Sequence, residues 1–267
     1  GGRTWAAASG LAAAPGRIEL AWHRGYTGTG NGCVYAMQDA GDTTIYRSVD
    51  GGASFVRTAT GIGVVETQGD WNMALWVDPS DRDANVRDDV VVAGGISQYR
   101  SSDGGATFGL IGDWQGYPGP SIHADHHVVV EHPAFNGTTN RAVYFGCDGG
   151  IFRADNIYTV NSNGGWTALN NSLGITQFYG VSRHAGSDIL YGGTQDNGTL
   201  RTTGGNPSGW SEAFGGDGGY SASDPTDSRY HYGEYVYGQV HRSDNSGRFA
   251  QPIWGGGLGA PYEITDA

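Results

Sequence analysis

A ten-residue segment of this chain occurs twice, and that repetition limits the folds open to it more than any other feature. Tyr46-Arg-Ser-Val-Asp-Gly-Gly-Ala-Ser-Phe55 returns as Tyr99-Arg-Ser-Ser-Asp-Gly-Gly-Ala-Thr-Phe108, and both fit Ser-x-Asp-x-Gly-x-x-aromatic. The pattern has a mechanical reading. Glycine supplies the positive φ of a tight turn, the serine hydroxyl and aspartate carboxylate cap backbone N–H groups, and the aromatic ring packs inward. Ser48, Asp50, Gly52 and Phe55 are therefore assigned to structure, as are Ser101, Asp103, Gly105 and Phe108. A motif recurring at this interval marks an array of like units, none of which buries its apolar face alone.

The series extends beyond the two copies. Gly1-Gly-Arg-Thr-Trp5 resembles the tail of another copy, and aromatic ends recur at Trp166, Trp210 and Trp254. Counted from Trp5 the intervals are 50, 53, 58, 44 and 44 residues, each enough for four short strands and their turns. Arg17–Trp22, Cys33–Met37 and Thr43–Arg47 read as strands of one unit; Asn72–Val77, Asp89–Ala93 and Ser97–Arg100 read as the same strands of the next. Helical periodicity is nearly absent. The expected fold is all-β: a β-propeller of four-stranded blades, about five of them, forming a single region over residues 1–267. Blades are expected to end near Trp5, Phe55, Phe108, Trp166, Trp210 and Trp254. Both chain ends fall inside a blade, so the chain is expected to be a segment of a larger propeller.

Charge narrows the partners. Fifteen basic residues, all arginine, face 27 acidic ones, a net charge of −12 that repels a phosphate backbone. Nucleic acid is excluded on that ground. No apolar run reaches membrane-spanning length, so no membrane insertion is expected. Cys33 and Cys147 lie outside any Cys-x-x-Cys, and a disulfide between them is left open.

Blade geometry sorts the polar motifs. The turn between the second and third strands opens on the same rim as the blade-to-blade crossing, while the repeated turn lies on the opposite rim. Asp39-Ala-Gly41, Asp148-Gly-Gly150 and Asp196-Asn-Gly198 fall at second-to-third turns, and Gly112–Asp125 and Gly215–Gly219 at crossings. All are expected around the mouth of a central channel, where closed β architectures commonly bind ligands. If the chain is an enzyme, paired carboxylates from Asp125, Asp148, Asp196 and Asp217 are its candidates, because glycoside hydrolysis needs two carboxyls flanking one bond. Trp114, Tyr117, His126, Gln195, Tyr220 and Glu234 are candidate ligand-binding residues, with Tyr179 a further ring near the same rim. His123, Asp125 and His127 would share one face of a strand, and three such N and O donors suit a divalent metal. No cofactor is required; a divalent metal is the one that the pattern admits.

The repeated turn, together with His123-Ala-Asp-His-His127, Tyr144-Phe-Gly-Cys-Asp-Gly-Gly-Ile-Phe152, Gln177-Phe-Tyr-Gly180, Tyr191-Gly-Gly-Thr-Gln-Asp-Asn-Gly198 and Gly215-Gly-Asp-Gly-Gly219, resembles the bacterial BNR or Asp-box propellers. These are sortilin (Vps10)-like repeat proteins often labelled glycosyl hydrolase. The resemblance implies a secreted or cell-surface propeller, in some members with carbohydrate-related roles. It does not extend to sialidases, whose Arg-Ile-Pro strand is matched here only by Gly16-Arg-Ile-Glu-Leu20, without the proline. Two readings follow: a non-catalytic binding or structural module, and a glycoside hydrolase using channel-mouth carboxylates. Expected partners are a glycan or protein ligand at the mouth, and further blades or neighbouring chains.

Overall fold

The computed structural model describes residues 6–13, 16–23, 32–39, 43–64, 68–81, 83–171, 173–174, 176–204 and 209–254. The expected blade end at Trp5, the turn residues Ala40 and Gly41, and the segment Pro261–Ala267 lie outside them. The chain divides into two compact units, Gly1–Leu173 and Gly174–Ala267.

The first unit holds three four-stranded antiparallel sheets. They are β1 (Ile18–His23), β2 (Cys33–Asp39), β3 (Thr43–Ser48) and β4 (Val56–Thr60); β5 (Ala74–Val77), β6 (Val91–Gly94), β7 (Gln98–Ser101) and β8 (Gly109–Gly112); and β9 (His126–Glu131), β10 (Val143–Cys147), β11 (Gly150–Ala154) and β12 (Trp166–Ala168). The second unit holds two more: β13 (Phe178–Arg183), β14 (Ile189–Thr194), β15 (Gly198–Thr203) and β16 (Ser211–Phe214), then β17 (Ser221–Ser223), β18 (His231–Tyr235), β19 (Gln239–Ser243) and β20 (Gln251–Trp254). Every sheet is a simple meander in sequence order, the arrangement of a propeller blade. The first strands of successive blades pack on one another: β1 on β5, β5 on β9, and β13 on β17. The fold class is thus all-β, built from five propeller-type blades.

Strand alternation places the core between blades. On β5, Leu75 and Val77 join Tyr35, Met37 and Ile45 of the first blade, while Ala74 and Trp76 join Val129, Phe145 and Phe152 of the third. A strand buried on both faces must be apolar at every position, and β5 reads Ala-Leu-Trp-Val. Burying each of its large side chains contributes about 1.5–3 kcal/mol.

The repeated turn has the expected chemistry. In the first copy the Ser48 hydroxyl accepts from Gly52 N–H at 2.8 Å and donates to Asp50 at 2.7 Å, and Asp50 accepts from Ser54 N–H at 2.9 Å. The second copy repeats this with Ser101, Asp103, Gly105 and Thr107. Hydrogen bonds from Ser54 and Ser48 pull the Asp50 carboxyl down to about 2. Phe55 is buried, while Phe108 is partly buried against the first-blade core.

A third copy of the turn lies in the fifth blade, where the sequence pattern missed it. The Ser243 hydroxyl donates to Asn245 Oδ1 at 2.9 Å and accepts from Gly247 N–H at 2.9 Å, and Asn245 accepts from Phe249 N–H at 3.1 Å. Asn245 replaces aspartate, and buried Ala250 holds the place of the aromatic. Trp254, expected near that position, instead closes β20.

Candidate functional site

In the first unit the expected metal face does not form. A shared strand face for His123, Asp125 and His127 requires a strand through residue 123, but β9 begins at His126. Asp125 sits at φ 63°, a left-handed conformation that ends the alternation. Pairing of β9 with β10 then slips, with Val128 opposite Gly146 but His126 opposite Cys147, so His127 bulges out of the ladder. His123 stacks edge-on against Tyr117, centroids 5.2 Å apart, and its Nδ1 lies 3.2 Å from the Ala124 carbonyl.

His127 Nε2 lies 2.5 Å from Asp148 Oδ1, at the turn between β10 and β11. The Asp148 hydrogen bond raises the His127 pKa against a partial desolvation, and the Asp148 and Asp125 charges add to it. Asn72 donates to Asp125 Oδ1. Burial pushes the Asp125 carboxyl up, and the Asp148 charge adds to this against the Asn72 hydrogen bond. Carboxylate oxygens of Asp125 and Asp148 lie within 4.8 Å of each other.

One of the proposed ligand-binding residues in this unit faces protein instead. His126 is fully buried, its ring edge-on to Phe145, and burial drives its pKa down to about 3. Tyr117 packs edge-on against Phe152 and His123 and still reaches solvent. Trp114 does reach solvent, on the short 3-10 helix Trp114–Gly116 capped by the Asp113 side chain. Cys33 and Cys147 are both free thiols.

The second unit assembles a groove. Its lining residues are Tyr179 on β13, Gln195 after β14, Asp217–Tyr220 on the crossing to β17, and Glu234–Tyr237 at the end of β18. It encloses about 350 Å³. Second-to-third turns and a crossing therefore meet on one rim, as blade geometry requires, and bring Gln195, Asp217, Tyr220 and Glu234 together.

Close backbone approach builds this rim. A Cβ on Gly193 would stand 1.9 Å from the Gly219 carbonyl oxygen, so the crossing lies flat on β14 only because both strands carry glycine there. Gly218 N–H donates to the Thr194 carbonyl at 2.8 Å, and Gly219 N–H to that of Glu234 at 2.7 Å. Between these anchors Asp217 Oδ1 accepts from Asp196 N–H at 3.0 Å and from Gln195 Nε2 at 3.3 Å. Gln195 in turn accepts from the Tyr179 hydroxyl. Asp196 itself holds the turn at φ 59°.

The rings around this floor are open to solvent: Tyr179 is 47% exposed, Tyr220 73% and Tyr237 94%. Sequence reasoning missed Tyr235 and Tyr237. They occupy a second-to-third turn that lacks Asp-x-Gly, the signal used to find the others, and Tyr237 supplies its positive φ of 60° without glycine.

No protein-family model matches the chain, and no curated protein matches it. Several solved structures are similar. A GH74 enzyme from Niastella koreensis is 18% identical over 88% of this chain and 37% of its own, with a TM-score of 0.41. The GH74 xyloglucanase from Xanthomonas campestris is 17% identical over 88% and 38%, TM-score 0.42. YCF48 from Cyanidioschyzon merolae is 14% identical over 89% and 69%, TM-score 0.35. The chain spans 37–38% of the length of the two GH74 enzymes.

Proposed function

We propose that this chain is an Asp-box propeller module of a secreted or cell-surface protein, and that it binds carbohydrate, without hydrolysing it, in the groove of its second unit. The observation that carries the reading is the set of solvent-exposed tyrosines Tyr179, Tyr220 and Tyr237 around a polar floor of Gln195, Asp217 and Glu234. Sugars offer apolar C–H faces ringed by hydroxyls. Rings stack on the former, while carboxylates and amides bond the latter. Three exposed tyrosines around one groove suit a ligand.

A hydrolase reading has one observation in its favour, the raised pKa of Asp125 beside Asp148. A glycosidase acid is such a carboxyl. Yet Asp148 is engaged by His127 and Asp125 by Asn72.

The test is a glycan array probed with the 267-residue chain, followed by incubation of each bound glycan and assay of reducing ends. Retention of a defined glycan class without new reducing ends supports the proposal. No glycan bound, or reducing ends that vanish in Asp125→Asn, overturns it.

A further inference from the structure

A second polar cluster lies away from the groove, in the first unit. His23 ends β1 and Cys33 begins β2, and the two stand directly opposite in the antiparallel register. Opposed residues present their side chains on the same face of the sheet. Asp89 reaches them from the connection between β5 and β6 of the next blade. His23 is 2% exposed, Cys33 0% and Asp89 2%. Their ligand atoms all lie within 4.8 Å of one another. Asp81 and Asp88, from the same connection, bring their carboxylates within 4.8 Å of that of Asp89.

Hydrogen bonds converge on Asp89 at this corner. His23 Nε2 faces Asp89 Oδ2 at 3.3 Å, and the ring also hydrogen-bonds the backbone of Asp81. A neutral imidazole has one N–H. A second ring proton meets both acceptors in the metal-free chain, and a metal on Nε2 would take the place of that proton. The surrounding charge favours a dication, since three carboxylates crowd this corner. Arg47 stands near Cys33, but its Nη1 is committed to the Val86 and Gly104 carbonyls.

We propose that His23, Cys33 and Asp89, with Asp81 as the fourth ligand, bind a zinc-class divalent ion that staples the first two blades together. One nitrogen, one thiolate sulfur and two carboxylate oxygens form a donor set that zinc accepts in tetrahedral geometry, at bonds of roughly 2.0–2.3 Å. The outer contacts are those of a metal site: Tyr35 Oη donates to Asp89 Oδ2 at 2.6 Å, and the Asp81 backbone fixes the His23 ring. Binding releases the Cys33 thiol proton and the proton shared by His23 and Asp89 to solvent. Burial leaves that thiol protonated in the metal-free chain, at about 12. Binding energy is then folding energy, because the ligands come from two blades.

The test uses the 267-residue chain, loaded with zinc and dialysed against metal-free buffer. Wild type and Cys147→Ser retain one zinc per chain, and Cys33→Ser retains none. Cobalt(II) in place of zinc gives wild type and Cys147→Ser a thiolate-to-cobalt charge-transfer band, which Cys33→Ser lacks. Chelation lowers the wild-type Tm, and zinc restores it. Should Cys33→Ser fail to fold, the metal content and cobalt spectrum of Cys147→Ser decide alone, since Cys33 is then the sole thiol. A folded wild type with neither retained zinc nor a charge-transfer band overturns the proposal, as does a band that disappears in Cys147→Ser.

Discussion

Arg47 on β3 donates from Nη1 to the carbonyl oxygen of Gly104, 3.1 Å away in the repeated turn of the next blade. The same arginine reaches the Val86 carbonyl at 2.8 Å. Arg100, its counterpart in the second copy of the repeat, donates to the Ile157 and Val160 carbonyls of the third blade at 2.7 and 3.0 Å. In the second unit Arg201 of β15 donates to the Ser246 carbonyl of the fifth blade at 2.6 Å. The arginine before Ser48, Ser101 or Thr202 is thus an inter-blade clamp, aimed at carbonyls outside the strand ladders.

Arg100→Ala leaves two carbonyls of the third blade without their donor. Charge-assisted hydrogen bonds of this kind contribute about 1.5–3 kcal/mol. The variant is expected to lose about 2–3 kcal/mol, with a Tm lower by roughly 5–10 °C. Arg100→Lys recovers only part, because both bonds come from Nη1, which lies beyond the reach of the shorter lysine side chain. Urea unfolding checks both; a loss below about 0.5 kcal/mol would mean that the clamp is not structural.

Ser246 holds φ 65° where the two other copies of the turn use Gly51 and Gly104. A left-handed non-glycine residue is strained by about 1–2 kcal/mol, part of which glycine returns as chain entropy. Ser246→Gly is expected to stabilise the chain by about 0.5–1 kcal/mol, seen as a higher Tm by calorimetry. A lower Tm would show that the Ser246 side chain contributes more than its backbone costs.

Burial drives the His126 pKa down to about 3 and that of His241 to about 4, the latter stacked on Phe214 with centroids 4.1 Å apart. Both lie below the unfolded value of about 6.5, so the unfolded chain takes up protons first on acidification. Their stabilisation is complete above about pH 6.5 and is lost as pH falls toward the folded values. Each histidine adds up to about 1.4 kcal/mol per pH unit between pH 6.5 and about 4. Urea titrations near pH 7 and near pH 5 should show that slope, and His241→Gln should flatten it by one histidine's share. Because the raised pKa values of His23 and His127 act with the opposite sign, the variant decides: the same slope in His241→Gln as in wild type would contradict neutral burial of His241.

The repeat made the blades legible, since ten residues of near identity carry both the turn chemistry and the strand it terminates. The clamp role of Arg47 and Arg100 was not legible, because their acceptors are carbonyls of another blade, which any residue could supply. The third turn was hidden by its substitutions: Asn245 retains the accepting oxygen, and Ala250 fills a core position without a ring. The His123–His127 run misled through one backbone angle, the left-handed Asp125, which strand alternation cannot anticipate. His23 and Asp89 lie 66 residues apart and form no recognisable ligand spacing. Only the packing of neighbouring blades brings them together.

Carbohydrate recognition by the second-unit groove is tested most directly by calorimetric titration of the glycan selected on the array into wild type, Tyr220→Ala and Tyr237→Ala. Both tyrosines are exposed, so each variant should keep the wild-type Tm. Loss of a stacked ring should weaken binding about tenfold, or roughly 1–1.5 kcal/mol. Unchanged affinity in both variants, with the fold intact, would contradict the assignment of this groove.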